Sequence, residues 1–128
     1  MEYWQIELWE NANGVCYVDR DLLDSLKSKD QLLLGRLFKK KLTLTQYTVP
    51  YLKSSEILKN IGNDLWELKF ILPKAEIRYL GCFSYITKPP TFYALCAFRK
   101  KTQKISTKYI KITKDRQKEF NKKLKQLR

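Results

Sequence analysis

Hydrophobic and polar positions alternate at the start of the chain. Residues 3–9 place Trp4, Ile6 and Leu8 on one face, with mainly polar side chains between them. A period of two residues is typical of a β-strand with one buried face. The turn-forming residues 11–14 end this strand.

Two helices are predicted between this strand and Pro50. Asp19 is a candidate N-cap for a short helix, and Asp30 is a candidate N-cap for a longer one. Apolar residues recur at helical spacing after Asp30. The side chains of the longer helix that we expect to face inward are Leu33, Leu34, Leu37, Phe38 and Leu42. The β-branched stretch 43–49 ends this helix.

Alternation returns in the second half of the chain and predicts three more strands, at 65–72, 76–86 and 91–99. Proline-containing turns separate them, so the three strands form an antiparallel meander. A helix over about 107–127 closes the chain. Its apolar stripe consists of Ile110, Phe120, Leu124 and Leu127.

The predicted order of elements is β-α-α-β-β-β-α, which indicates a compact α+β fold. We expect the helices to pack on one side of a mainly antiparallel, twisted sheet. The length of 128 residues is that of one domain, so we expect a single domain over residues 1–128.

The net charge of +13 is unevenly distributed along the chain. Residues 1–98 contain 13 basic and 11 acidic side chains, whereas residues 99–128 contain 13 basic side chains against Asp115 and Glu119. Positive charge concentrated in this way attracts polyanions and makes their binding depend on salt. A solvated helix face is the alternative interpretation. A membrane surface is less favoured, because this segment has no apolar face that carries Trp.

The absence of histidine restricts the chemistry of the chain. It excludes Ser-His and Cys-His triads, histidine zinc sites and histidine-based ribonucleases. Cys16, Cys82 and Cys96 form no CxxC pair, and we expect reduced thiols rather than a disulfide framework. The chain has no apolar run of membrane-spanning length and no signal-peptide pattern at its start. We therefore expect a cytoplasmic protein that needs no metal and no cofactor.

The acidic residues near the predicted hairpin do not suggest a magnesium site. Asp64, Glu67 and Glu76 are interleaved in sequence with Lys69 and Arg78. Opposite charges on neighbouring strands form cross-strand pairs. We therefore expect ion pairs across the surface of the hairpin.

Lysine, arginine, tyrosine and one glutamate can still cleave RNA, because RNA supplies its own nucleophile, the 2′-hydroxyl. Cations stabilise the negative transition state, and a lysine crowded by other cations can act as a base. Five basic residues lie on or beside neighbouring predicted strands and could converge on one face: Lys69, Arg78, Arg99, Lys100 and Lys101. Phosphate binding without catalysis fits this pattern equally well.

Three motifs carry a resemblance to a known family. They are LWELK at 65–69, IRY at 77–79 and FRKKTQK at 98–104. In their order and spacing they resemble the HigB-like, phage-derived branch of the RelE toxin superfamily, in which the third motif has the form F-x-K-K-T-Q-K. The likeness extends weakly from the first strand to about Arg116.

The resemblance implies a toxin of a type II toxin–antitoxin system. Such a toxin is an endoribonuclease (an mRNA interferase) that enters the ribosomal A site, cleaves mRNA there and stops translation. The resemblance also implies a partner, a small helix-turn-helix antitoxin of the HigA type. This antitoxin neutralises the toxin and represses their shared operon, so the toxin would reach operator DNA only through it.

The resemblance also implies roles for individual residues. Arg78 and Lys100 or Lys101 would contact the scissile phosphate, Lys69 would take the role of a family arginine, and Lys59 would lie at the rim. Lysines of the last helix would add affinity for ribosomal RNA. The residues expected to bind RNA without reacting with it are Lys59, Arg99, Lys104, Lys118 and Lys122.

The sequence departs from the family pattern at several positions. Lys69 replaces an arginine and loses its bidentate fork. Ile77 replaces a tyrosine, and Tyr109 replaces a common glutamate.

The alternative functions are a non-catalytic RNA- or ribosome-binding module and an inactive toxin homologue.

Overall fold

The computed structural model describes most of the chain. The described residues are 4–11, 13–14, 16–18, 20, 22, 31–62, 64–72, 75–85, 89–100 and 107–126. Asp19, Asp30, Lys101 and Lys104 lie outside them, as do the side chains of Leu33, Leu34, Phe38 and Leu124.

Five strands of the described residues form one sheet. They are β1 (Gln5–Leu8), β2 (Leu58–Gly62), β3 (Leu65–Leu72), β4 (Ala75–Ser84) and β5 (Thr91–Arg99). The strand order across the sheet is β1-β5-β4-β3-β2, and only the β1–β5 pairing within it is parallel. The mainly antiparallel α+β fold and the three-strand meander are confirmed.

Three helices of the described residues pack on this sheet. They are α1 (Gln31–Leu44), α2 (Val49–Ser54) and α3 (Thr107–Gln126). The predicted start of the last helix, at about residue 107, is confirmed, and its predicted end at residue 127 lies outside the described residues. Helical residues also occur at Tyr17 and Val18, so the short helix begins before its predicted cap.

The sequence patterns missed β2 and α2. Only Leu58 is buried in β2, which is an edge strand with a register shift near its end, so its period of two is weak. The helix α2 has only six residues. It is started by Thr48, whose hydroxyl accepts a hydrogen bond from the Tyr51 N–H, with Pro50 in the first turn.

The inward face of α1 differs from the prediction at one position. Leu37 and Leu44 are buried, whereas Leu42 is 54% exposed. Positions seven residues apart share a face of a helix, and a position five residues from Leu37 is rotated by about 140°. The expectation that Leu42 faces inward was wrong.

Helices cover both faces of the sheet, so the expectation that they lie on one side was also wrong. On one face, α1 and α2 pack on a core whose strand members include Leu68, Phe70 and Tyr79. On the other face, α3 places Phe120 against Leu65, Cys82 and Leu95. The central strands therefore carry buried side chains on both faces.

The close packing of β4 on β5 requires glycine at position 81. A Cβ atom there would lie 2.1 Å from the backbone oxygen of Tyr93. The register shifts at this point, between Leu80 and Gly81. Below the shift, towards the start of β4, Arg78 lies opposite Phe98.

Candidate functional site

The register of the central strands brings several of the predicted site residues together. Arg78 of β4 pairs with Lys69 of β3 on one side and with Phe98 of β5 on the other. Cross-strand partners share a face, which here is the face covered by α3. The Lys100 N–H donates to the Glu76 carbonyl at 2.8 Å, which continues the ladder and places Lys100 on the same face by alternation.

Arg78 is buried at the centre of this group, with 3% exposure. Its Nη2 donates to Oε2 of Glu76 at 2.9 Å, and its Nε lies 3.5 Å from Oε1 of Glu67. The Glu67 side chain is 5% exposed and that of Glu76 is 45% exposed. One ion pair crosses the hairpin as predicted, between Arg78 of β4 and Glu67 of β3, but it is internal, so the expectation of a surface pair was wrong. The Arg78–Glu76 pair joins two residues of the same strand.

Hydrogen bonding around this pair is incomplete. Nη1 of Arg78 and Oε2 of Glu67 are buried and have no hydrogen-bond partner among the described residues. The 3.5 Å contact of Nε with Glu67 also lacks hydrogen-bond geometry. A buried polar atom left unpaired costs about 1–3 kcal/mol. Such atoms tend to mark a strained or functional site.

An aromatic pair borders the cationic group. Phe98 stacks on Tyr109 of α3, with ring centroids 4.2 Å apart and planes 2° apart. Lys108 Nζ lies 5.6 Å from the centroid of the Tyr109 ring. Tyr109 therefore packs against Phe98 at the edge of the site. The sequence patterns did not predict this position for it.

The other predicted basic residues lie around this centre or away from it. Arg99 pairs with Ile77, so it belongs to the opposite face of the sheet from Arg78, and the expectation that it converges with Arg78 on one face was wrong. Lys59 is exposed on the edge strand β2, opposite Glu67. Lys118 and Lys122 are exposed on α3.

The prediction for Glu67 was wrong. It was expected at the surface, but it is the internal partner of Arg78. The available signal was its position on β3, two residues before Lys69 and therefore on the same face. What the alternation could not show is that this face is covered by α3.

The cysteines are free thiols, as predicted, and two of them are buried. Burial raises the pKa of Cys82 from 9.0 to about 12, with a smaller contribution from the charge of Asp64, although a hydrogen bond with Gln117 opposes the rise. Burial and the charge of Glu7 raise the pKa of Tyr93. Both groups therefore remain protonated at neutral pH.

The described residues show neither a membrane-spanning helix nor a cluster of metal ligands. None of their helices is both long enough and apolar enough to cross a membrane. No group of three or more His, Cys, Asp or Glu side chains in that part of the chain is arranged to hold a metal ion.

The chain matches a known protein family over most of its length. Residues 21–118 match the family described as Phage derived protein Gp49-like (DUF891). This span is more than half of the chain and includes β2 to β5 and the first half of α3. No curated protein and no solved structure matches the chain.

Proposed function

The chain belongs to the family of phage-derived, Gp49-like proteins, and from this premise we propose that it is the toxin of a type II toxin–antitoxin system. In this proposal it is a HigB-like endoribonuclease of the RelE superfamily that cleaves mRNA on the ribosome. The observation that carries the proposal is the buried Arg78, which lies between the half-buried Lys69 and Lys100 and whose Nη1 has no hydrogen-bond partner among the described residues.

The chemistry proposed for this site is attack by the RNA's own 2′-hydroxyl. The 2′-oxygen loses its proton and bonds to the adjacent phosphorus, while the bond from phosphorus to the 5′-oxygen breaks. The leaving 5′-oxygen takes up a proton, and the product is a 2′,3′-cyclic phosphate. Cations beside the phosphate stabilise the extra negative charge of the transition state.

Lys69 and Lys100 are the accessible cations of the site, because both are half-buried whereas Arg78 is buried. We assign them the direct contacts with the phosphate oxygens. Lys101 keeps the role implied by the family motif, in which two lysines are adjacent. Arg78 reaches the phosphate only after it exchanges partners.

Glu76 is the group that such an exchange displaces. Its side chain is 45% exposed, and its carboxylate accepts the hydrogen bond from Nη2 of Arg78 that a phosphate oxygen would accept. Glu67 is internal and keeps Arg78 in place during the exchange. Phosphate would therefore replace one carboxylate of Arg78 and leave the other.

The proposed partners follow from the same assignment. They are mRNA, ribosomal RNA and a helix-turn-helix antitoxin of the HigA type. The alternative is a non-catalytic RNA- or ribosome-binding module, or an inactive homologue, that uses the same basic face. The observation that favours this alternative is the pairing of Arg78 with Glu67 and Glu76, because two carboxylates neutralise the positive charge at the centre of the site.

An in vitro translation assay with mapping of mRNA 3′ ends tests the proposal. We expect translation to stop and new 3′ ends to appear within ribosome-bound mRNA, carrying 2′,3′-cyclic phosphate or 3′-phosphate. Arrested translation with intact mRNA would favour the non-catalytic module. New ends with a 3′-hydroxyl would contradict attack by the 2′-hydroxyl.

A further inference from the structure

A second surface, remote from Arg78, combines exposed aromatic rings with a lysine. We call it the aromatic surface. It consists of Tyr47, Tyr51, Lys53, Trp66, Phe83 and Tyr85. It lies on the face of the sheet that carries α1 and α2, at the end where β3 begins and β4 ends.

Two tyrosines form one side of this surface. Tyr47 and Tyr51 are stacked, with ring centroids 5.1 Å apart and planes 20° apart. They are 44% and 52% exposed. The pair therefore presents flat aromatic area to solvent, and the first turn of α2 holds Tyr51 in place through Thr48.

A second row of rings forms the other side. Lys53 Nζ lies 4.7 Å from the centroid of the half-buried Trp66 ring. Trp66 contacts Phe83 edge to face at 6.2 Å, and Phe83 stacks on Tyr85 at 6.0 Å with planes 23° apart. Tyr85 is 59% exposed.

The buried Trp4 joins the two sides. Its Nε1–H donates to the Tyr47 carbonyl at 2.9 Å, and its ring lies 6.0 Å from that of Phe83. Neither side can therefore shift without disturbing Trp4, which is 3% exposed in the core. The aromatic surface is a preformed platform rather than a set of separate side chains.

The segment that supplies the tyrosines is strongly basic. Residues 31–55 contain Arg36, Lys39, Lys40, Lys41 and Lys53 and no acidic residue. The near balance of charge over residues 1–98 conceals this local excess. Exposed rings in a basic segment, with Lys53 against Trp66, suit a polyanion that carries flat, unstacked rings of its own.

We propose that the aromatic surface binds unpaired nucleotides of RNA, with bases stacked on Tyr51 and Tyr85 and phosphates near Lys53. Stacking on aromatic side chains is how proteins bind single-stranded RNA without reading its sequence. This site rests on the proposed function only in taking RNA as the ligand.

The nucleotides bound at the aromatic surface are not the ones cleaved at Arg78, because the two sites are far apart. Phe83 lies five residues beyond Arg78 along β4, or about 16 Å, and on the opposite face of the sheet. The surface therefore binds a different RNA segment from the scissile one. In the proposed function this segment is an unpaired loop of ribosomal RNA.

The test uses a fluorescently labelled octanucleotide of 2′-O-methyluridine, which has no free 2′-hydroxyl and so cannot be cleaved. Its binding to the full chain is measured by anisotropy at low salt. We expect Tyr51→Ala to weaken binding on the order of tenfold, because a stacked base is lost, and Tyr51→Phe to bind as the native chain does. Lys53→Gln should weaken binding and reduce its dependence on salt.

The matched control is Leu42→Ala, which removes an apolar side chain of similar exposure (54%) from α1, outside the residues that define the aromatic surface. It should leave binding unchanged. An RNA duplex, whose bases are already stacked, should bind the Tyr51→Ala variant and the native chain equally.

Equal binding of the single strand by the native chain and Tyr51→Ala would overturn the proposal and leave the aromatic surface to a protein partner. So would equal losses for Tyr51→Phe and Tyr51→Ala. Because the probe cannot be cleaved, these results are independent of whether the chain is a ribonuclease. A chain that binds as expected but leaves mRNA intact would retain the aromatic surface and lose the proposed catalytic function.

Discussion

Arg78 and Glu67 occupy adjacent strands on an internal face of the sheet, and each is the reason that the other can be buried. A buried arginine without a carboxylate would leave its charge uncompensated, and the same holds for Glu67. The pair has one further carboxylate, Glu76, at the solvent side. This arrangement makes Arg78 both a structural residue and the proposed centre of the site.

The structural role of Arg78 predicts a large effect of its removal on stability. Arg78→Ala should lower the free energy of unfolding by about 3–5 kcal/mol, because Glu67 is left as an unpaired internal charge. The double variant Glu67→Leu, Arg78→Met should recover most of this loss, since apolar side chains of similar size replace the buried pair. Urea unfolding of the purified variants measures both effects.

The double variant also separates folding from function. It should fold and fail to cleave mRNA, because the cation proposed to meet the phosphate is absent. If it cleaves mRNA on ribosomes at the native rate, Arg78 does not belong to the site and the assignment moves to the lysines. If Arg78→Ala is as stable as the native chain, the internal pair is not the structural element described above.

Glu76 gives a second prediction at the scale of the residue. If phosphate has to displace the Glu76 carboxylate from Arg78, then Glu76→Gln should bind RNA roughly threefold to tenfold more tightly, because a weaker competitor is displaced. Anisotropy with the uncleavable oligonucleotide measures the change in chains that also carry Tyr51→Ala, so that the aromatic surface contributes little to binding. Glu10→Gln removes an equal charge from an exposed position beyond the end of β1 and should have a smaller effect. Equal gains for the two variants would show that only net charge matters.

At the scale of the element, α3 has two sides with different roles: one packs against the sheet and the other carries positive charge. Its inner side is held to the sheet by Phe120, whose ring lies 4.9 Å from that of Tyr93, and by Arg116, whose Nη1 donates to the Leu95 carbonyl at 2.7 Å. Its outer side carries exposed lysines, which include Lys118 and Lys122. The outer side can change without loss of the fold.

The lysines of α3 should supply affinity rather than chemistry. Changing Lys118 and Lys122 to Glu should weaken ribosome binding and make its dependence on salt shallower, by about 0.7 in the log–log slope for each lost phosphate contact with single-stranded RNA. Changing both to Arg keeps the charge and should keep the slope. Single-turnover cleavage on saturating ribosomes should be unchanged for the Glu variant. A loss of that cleavage would place α3 in the reaction itself.

At the scale of the whole molecule, the sheet is buried on both faces, and stability depends on groups trapped between it and α3. Cys82 lies there, in contact with the cluster that contains Phe120, and its pKa is raised to about 12. The folded chain therefore favours the thiol over the thiolate. The stabilisation is fully present below about pH 9, the ordinary pKa, and is lost as the pH rises from there towards 12.

This linkage predicts a decline of stability in alkali. Between pH 8 and pH 10 the free energy of unfolding should fall by roughly 1 kcal/mol through Cys82, and the raised pKa of Tyr93 acts in the same direction at higher pH. Urea unfolding at the two pH values measures the change. Cys82→Ala should be less stable at both values but should depend less on pH. An equal decline in the variant would assign the effect to other groups.

The sequence alone determined the elements whose patterns are local. The spans of β3, β5 and α3 follow from alternation or helical spacing within each segment, so they could be predicted without knowledge of their neighbours. The motif residues Lys69 and Arg78 were also placed on adjacent strands correctly, because a short turn separates those strands. The free thiols followed from the unpaired, apolar contexts of the cysteines.

Only the tertiary structure decided which faces are buried and what each charged group meets. Alternation predicts that Glu67 and Arg78 lie on one face of the sheet, but it does not show that α3 covers that face. For this reason the internal Arg78–Glu67 pair was predicted to lie at the surface. Arg99 was predicted to share a face with Arg78 because the strand register was unknown; in the structure Arg99 lies opposite Ile77, on the other face. Local periods describe a side chain relative to its own strand, whereas burial and partners depend on segments that are distant along the chain. The parallel pairing of β1 with β5 and the aromatic surface arise from such long-range contacts, which no local pattern contains.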